Sequence, residues 1–508
     1  MKRALVLLLF VIVKFGLTYA LVDGHYELHR DEFLHLDQGA HPAFGYLSVP
    51  PFTSWISMVI HALGDAAFWV RFFPCLFGAL TIAVVWKAIE ALGGGWFALI
   101  LGACSVLFSA LLRLNMLFQP NSFEVLAWTF TCFALIRYVQ MSKPIWLYAA
   151  FLALGFGFLN KYNIAILSLG LCTALVFSPF RTIFSRKHFR TGLIVALVVI
   201  APNLIWQVAH GFPVVRHMRL LRDTQLVNVS TSDFFKEQLL FFFGSIHVVI
   251  AALAGLCFYK PLKAYRFFAW SFAITLVLFA LLSAKGYYAI ALYPIYIAFG
   301  SLTLEKRLVG KAGLVLRGIC IAIPIGGFLA TYPIAFPVSS PEVMKQRVEE
   351  RPELHLARWE DGRDHDLPQD FADMLGWKEL AQKVDSAIEK LPASQRTIVL
   401  CDNYGQAGAI NYYSRHKLKA VTMNADYLYW FELDKPVANL ILVQEASDDD
   451  PERKRERSFF ESVEKTGTVI NPYAREKGTS IYLLRSAKVD INSILESEIQ
   501  KEKSFWED

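Results

Sequence analysis

The feature that most constrains this chain is a succession of long apolar runs, broken by short polar joints, over its first two-thirds. A helix needs about 20 mostly apolar residues to cross a bilayer. In hydrocarbon only elements that satisfy their own backbone groups persist. Segments near 4–22, 67–87, 94–112, 121–138, 145–159, 162–178, 192–209, 239–257, 267–283, 287–303 and 312–336 reach or approach that length. Met1-Lys2-Arg3 before the first run resembles a signal sequence, but the run is of spanning length and no clean cleavage site follows, so it reads as an uncleaved first span. The predicted fold class is mostly α: a polytopic transmembrane helical bundle of about 11 spans over residues 1–336, a linker over 337–376, and a C-terminal soluble α/β domain over 377–508.

Charge gives the orientation. Alternate joints carry Lys87; Arg137 and Lys143; Arg181, Arg186, Lys187 and Arg190; Lys260, Lys263 and Arg266; and Lys306, Arg307 and Lys311, with few acids among them. By the positive-inside rule these joints and the N-terminus face the cytoplasm. An odd span count then puts the C-terminal domain on the outer, periplasmic or extracellular, side of a bacterial inner membrane. The net charge of +6 is a topology signal of this kind and does not point to nucleic acid. Six of the seven cysteines lie in apolar segments, where a thiol acts as a small hydrophobe. Cys401, alone in the soluble part, allows no disulfide framework there.

The outer side should be poor in cations, yet it holds Arg71, Lys161, Arg216, Arg219, Arg222 and Lys285. Singly each reads as a snorkelling side chain; together they suggest that something anionic binds outside. The 211–223 stretch also reads as an amphipathic helix on the membrane surface. Lys14 falls mid-span, where an unpaired charge is costly, so a partner is expected. The first outer loop, 23–66, packs five carboxylates (Asp23, Glu27, Asp31, Glu32, Asp37) and four of the twelve histidines (His25, His29, His35, His41) into a short stretch. Asp31-Glu32 reads as part of a short helix. A carboxylate beside the membrane can act as general base towards an incoming hydroxyl; a solvated acidic pair is the plainer alternative. His25/His29 and Asp31/His35 are i,i+4 pairs, which leaves His25, His29 and His35 as weak candidates for a divalent cation site.

The order of several short motifs resembles the GT-C glycosyltransferases. The motifs are Asp31-Glu32, Pro50-Pro51-Phe52 with Trp55, Arg71, Asn121-Ser122-Phe123-Glu124, Asn160-Lys161-Tyr162, Pro202-Asn203 through His210-Gly211-Phe212-Pro213, Lys285-Gly286-Tyr287-Tyr288 with Tyr293-Pro294, and Asp402-Asn403-Tyr404-Gly405-Gln406-Ala407-Gly408-Ala409. The likeness is to the bacterial branch related to protein O-mannosyltransferases and lipid A aminoarabinose transferases. It implies a polyprenyl-phosphate donor carrying one sugar, a lipid, glycan or protein acceptor, and inverting transfer on the outer face. It implies Asp31 as the catalytic carboxylate with Glu32 beside it, and His35, His41, Tyr46, Pro50, Pro51, Tyr287 and Tyr288 near the substrates. Where aminoarabinose transferases carry a lysine before the Pro-Pro pair this chain has Val49, which moves the expected phosphate contacts to Lys285 and to Arg216, Arg219 and Arg222, with Lys161 and Arg71 in support.

In the soluble part, 377–390 reads as a helix, Thr397–Cys401 as a strand, 405–414 as a helix, 437–443 as a strand, 451–465 as a charged helix and 480–484 as a last strand, with a peripheral charged tail from 490. Strands alternating with helices suggest a small α/β sandwich. The turn at Asp402–Gly405 offers either a helix cap or an anion site at a helix N-terminus. Two other classes of function fit a polytopic chain with charged outer loops: a transporter or flippase of an anionic or lipid-linked solute, and a membrane scaffold. The first would place its chemistry near the midplane, commonly with an internal repeat. No repeat is evident here.

Overall fold

A computed structural model describes residues 1–224 and 226–507. Seven helices among them are long and apolar enough to cross a membrane: Lys2–Ala20, Ala67–Ala91, Asn121–Met141, Lys187–Ala209, Lys260–Leu281, Gly286–Arg307 and Gly310–Ala335. Thr231–Phe241 and Phe243–Phe258 add an eighth if that pair, bent by 65°, is one span. Three of the predicted spans correspond to shorter apolar helices, Trp96–Leu107, Pro144–Asn160 and Ile164–Val176. The last two are parted where Lys161 leaves helical geometry, with φ of −160°.

The Gly286–Arg307 segment is the axis of the bundle, with 83% of its apolar window buried, against 11% for the first and last spans. Gly300 permits this, because a Cβ there would lie 1.9 Å from the Val248 carbonyl oxygen. Small residues at such crossings let backbones approach where lipid gives no hydrophobic drive. The first span exposes most of its surface, yet Lys14 on it is fully buried. Its partner is Asn115, whose Oδ1 accepts from Lys14 Nζ at 2.9 Å.

The C-terminal domain has a five-stranded sheet in the order β2-β1-β3-β5-β4. Strands β1 (Thr397–Cys401), β2 (Ala420–Thr422) and β3 (Asn439–Gln444) run parallel, and β4 (Phe460–Thr468) and β5 (Ser480–Ala487) add antiparallel pairs. The helix expected over 451–465 is confined to Lys454–Arg457, and most of the rest is β4. That strand lies at the sheet edge with largely unburied residues. Charge on an edge strand blocks pairing with other chains, and the same charge imitates an exposed helix. The tail is not peripheral: it forms the helix Ile491–Glu507, and Ile491, Leu495, Ile499 and Trp506 are buried. Residues 341–375 also contribute a core of their own, where Met344, Leu367, Phe371 and Met374 enclose Tyr26 of the first outer loop.

That loop is the junction of the molecule. It folds into two helices, Arg30–Ala40 and Phe52–Ala62, and the first lies against the Tyr404–Tyr413 helix of the C-terminal domain. Glu27 accepts from the backbone N–H groups of Trp377 and Lys378 at 2.7 and 3.0 Å, capping the Trp377–Ile388 helix from outside the domain.

Candidate active site

The Arg30–Ala40 helix begins with a reciprocal cap. His29 Nδ1 accepts from the Asp31 backbone N–H at 3.2 Å, and Glu32 Oε2 accepts from the His29 N–H at 2.6 Å. Such a cap satisfies donors that a helix start leaves unpaired, and the dipole there favours carboxylates. The two neighbouring acids then differ sharply. Glu32 is 1% exposed, and its Oε1 accepts from the Phe118 backbone N–H at 2.7 Å, so each of its oxygens meets an amide. Asp31 keeps 39% of its side chain exposed. Its Oδ1 accepts from the Tyr404 hydroxyl at 2.7 Å and its Oδ2 from Gln119 Nε2 at 3.0 Å. Burial opposes ionisation of Asp31, but His29, Arg30 and the Tyr404 hydroxyl outweigh it and hold the carboxyl below its ordinary pKa. The result is an oriented, ionised and accessible carboxylate.

Cations are tied to it through intervening side chains: Asn121, which accepts from Lys161, donates to the Gln119 that holds Asp31. Lys161 Nζ lies 3.1 Å from Glu124 Oε2, donates to Asn121 Oδ1 at 2.8 Å, and sits over the Tyr288 and Tyr287 rings at 4.7 and 5.3 Å. Tyr287 is in turn within electrostatic reach of Asp31 and Glu360, and Glu360 pairs with Lys285. Asp31, Lys161, Lys285, Tyr287 and Tyr288, expected from the sequence, are thus linked through a few contacts. A small apolar pocket lined by Phe52, Phe77, Phe118 and Phe123 also touches Gln119, the residue that holds Asp31 Oδ2. Pro51 supplies the N-cap of the helix that carries Phe52 into that pocket, directly after Pro50.

Other expected residues lie elsewhere. Arg216 donates to the Phe505 carbonyl and Arg222 pairs with its neighbour Asp223 at 3.1 Å. Arg219 is exposed on the same helix, Pro213–Thr224, which packs against the C-terminal helix. No described contact brings these three to Lys161, Lys285 or Asp31; the amphipathic reading of that stretch accounts for them. Arg71 faces Arg113 and Tyr412. Tyr46 donates to the Gln38 carbonyl at 2.8 Å, and His41 stacks on Trp430 at 4.2 Å between ring centres, so both fasten the loop. His35 is buried, 3.0 Å from Gln38 Oε1. His25 precedes the helix and pairs with Asp23, so it shares no helix face with His29. Among the described residues no three His, Cys, Asp or Glu side chains are arranged to hold a metal ion. Asn403 caps the Tyr404–Tyr413 helix, accepting from the Gln406 N–H at 3.0 Å, which resolves the open reading of that turn.

Sequence reasoning missed Gln119, Glu360 and the role of Tyr404. The glycines at 405 and 408 were a readable signal: their i,i+3 spacing gives one helix face that tolerates close approach.

Residues 48–206, about a third of the chain, match the family described as dolichyl-phosphate-mannose-protein mannosyltransferase. The match includes Gln119, Glu124 and Lys161 but starts beyond Asp31. A lipid A galacturonosyltransferase, RgtD, of Rhizobium johnstonii is 27% identical over 182 residues, which are 34% of this chain and 37% of that relative. In fold the chain is similar to ArnT from Cupriavidus metallidurans, solved bound to undecaprenyl phosphate, with a TM-score of 0.62 and 14% identity over 95% of this chain and 98% of that one. It is also similar to the archaeal oligosaccharyltransferase AglB from Archaeoglobus fulgidus, with a TM-score of 0.50 and 9% identity over 87% and 70% of the two chains. Family signature, curated relative and fold therefore all fall where the motif order pointed.

Proposed function

We propose that this chain, which has the fold and sequence signature of the GT-C superfamily, is a multi-pass membrane glycosyltransferase that moves one sugar from a polyprenyl-phosphate donor to an acceptor hydroxyl or phosphate on the outer face. The observation that carries this reading is the Asp31 carboxylate, held by Tyr404 and Gln119 yet open, and joined to Lys161 through Gln119 and Asn121. In this reading the bent pair and the three shorter helices each count as one crossing, and the basic joints set the N-terminus in the cytoplasm and the C-terminal domain in the periplasm of a bacterial inner membrane.

The prenyl chain lies along the Phe-rich membrane face of the bundle, and its phosphate lies at Lys161 and Lys285. Asp31 takes the acceptor proton as the acceptor oxygen bonds to the anomeric carbon from the face opposite the phosphate. The bond from that carbon to the phosphate oxygen breaks, its electron pair stays on the phosphate, and the configuration inverts. The lysines stabilise charge that grows on the leaving oxygen, where preorganised cations are most effective. Glu32, with both oxygens held by amides, positions the helix and is not the base. Glu360 occupies Lys285 until the donor phosphate replaces it.

The test is transfer from a panel of polyprenyl-phosphate sugars to cell-envelope extract by purified wild type and Asp31→Asn. General-base assistance is worth about 10²–10⁴-fold, so the variant should lose at least about 100-fold with an unchanged melting temperature. Full activity in Asp31→Asn would remove this assignment, and no consumption of any donor would favour the transporter reading.

A further inference from the structure

The C-terminal domain could be a cover over the site, a display module or a working part. The contacts made by its Tyr404–Tyr413 helix decide between these. At Gly405 a Cβ would lie 2.6 Å from Arg30 Cγ, and at Gly408 it would lie 2.6 Å from Phe33 Cβ. Real Cβ atoms do not approach so closely, so the two helices meet at a separation only glycine allows. That separation brings the first residue of the domain helix into the site. The Tyr404 hydroxyl donates to Asp31 Oδ1 at 2.7 Å, while its ring lies under the Arg30 guanidinium at 4.4 Å. The anchor lower on the helix is of a different kind. The Tyr413 hydroxyl accepts from the Leu28 backbone N–H at 3.3 Å and does not touch Asp31.

Resting on the transferase reading above, we propose that this helix is part of the catalytic machinery: Tyr404 is a positioning residue that aims the Asp31 carboxylate and keeps it ionised for its role as base, so that the site is complete only when the C-terminal domain is docked. Gln119 fixes one carboxylate oxygen from the membrane side and Tyr404 the other, which leaves a single orientation for proton capture. The remaining charged and titratable groups that face Asp31 are His29, Arg30 and His35 from its own segment, Asp373 from the stretch before the Trp377–Ile388 helix, and Tyr287 from the bundle. His29, Arg30 and His35 favour the ionised form of Asp31, as Tyr404 does, and Asp373 opposes it. Among the described residues only the Tyr404 hydroxyl both touches Asp31 and belongs to the second domain.

The sign follows from the hydrogen bond. A donor to the carboxylate stabilises the ionised form, so its removal raises the proton affinity of Asp31. Tyr404→Phe keeps the ring over Arg30 and deletes only the hydroxyl. The acid limb of kcat/KM should move up by about one pH unit, and activity below that limb should fall about tenfold. Tyr413→Phe deletes a hydroxyl on the same helix without touching Asp31, and its acid limb should coincide with that of wild type.

The experiment measures kcat/KM against pH for full-length wild type, Tyr404→Phe, Tyr413→Phe and Asp31→Asn in detergent, with melting temperatures alongside. An upward shift in Tyr404→Phe alone supports the proposal. An unmoved limb in Tyr404→Phe, or equal losses in both tyrosine variants without a shift, overturns it and leaves the transferase reading standing if Asp31→Asn is inactive. Retained activity in Asp31→Asn fells that reading, and this proposal with it.

Discussion

The Arg30–Ala40 helix is gripped from two sides, and the two grips are built from different chemistry. On the membrane side the loop between Asn115 and Asn121 offers a backbone N–H from Phe118 to Glu32 and the Gln119 amide to Asp31. None of those donors changes charge with pH. On the soluble side the Asp373 carbonyl accepts from the Arg30 backbone N–H at 3.0 Å, and the other contacts are between side chains: Tyr404 on Asp31, Tyr427 and Asn411 on Asp37, and Gln38 on Asp426. Two of those side-chain donors, Tyr404 and Tyr427, are themselves ionisable groups. On the proposal above, the membrane half sets where the helix stands, and the C-terminal domain tunes the charge of Asp31 alongside His29 and Arg30.

The strongest way to break the comparison is to remove one side altogether. Gly408→Leu places a Cβ where Phe33 Cβ and the Tyr427 hydroxyl now lie, at 2.6 and 2.7 Å. The domain helix has to back away, and Tyr404 and Asn411 leave their carboxylates together. Transfer should fall at least about 100-fold, the scale of a lost general base. Helix content by circular dichroism should be unchanged, because the bundle does not depend on this contact. Activity within a few-fold of wild type would show that the domain is only a cover.

Glu32→Gln loosens the other side and should cost less. The amide replaces one acceptor by a donor, so either Phe118 or His29 faces an N–H in a buried place. An unmet buried donor costs about 1–3 kcal/mol, which predicts a lower melting temperature and roughly tenfold slower transfer. The acid limb of the pH profile should stay where it is in wild type. A shifted limb would mean that the membrane grip also controls charge, and the division drawn between the two sides would fail.

How far the sequence reached follows the same division. Hydropathy, a signal summed over about 20 neighbouring residues, placed the apolar helices, and the loop helix with Asp31 and Glu32 was readable because its acids and apolar residues are adjacent. Thr397–Cys401 was readable as a strand for the same local reason. The site itself is assembled over distances that leave no local trace: Asp31 and Tyr404 are 373 residues apart, and Lys14 and Asn115 are 101 apart. For Lys14 the sequence showed the cost and not the remedy. The remedy needs Gly78, where a Cβ would lie 2.2 Å from Asn115 Oδ1. The arginines at 216, 219 and 222 show the converse, since charge repeated along an amphipathic helix is a surface pattern and carries no information about what lies opposite.

The finest test uses pH and the pair of acids behind Asp31. Burial raises Asp37 and Asp426 from an ordinary value of 3.8 to about 6, and the hydrogen bonds from Tyr427 and Asn411, and from Leu47 and Gln38, offset only part of this. Between those values the folded state holds protons that the unfolded chain has released, so stability falls as pH rises. The contribution of the two protonated acids is complete below about pH 4 and gone above about pH 6. Asp37→Asn keeps an acceptor for Tyr427 and cannot ionise. It should raise the melting temperature at pH 7 by about 1–3 °C and flatten the decline between pH 4 and 6. It should leave the acid limb of transfer unchanged, because Asp37 does not touch Asp31. If Asp37→Asn instead melts lower than wild type at pH 7, the ionised carboxylate is a net stabiliser of the interface. The soluble grip would then hold by charge-assisted hydrogen bonds, which favour the charged acid, and docking would tighten as pH rises.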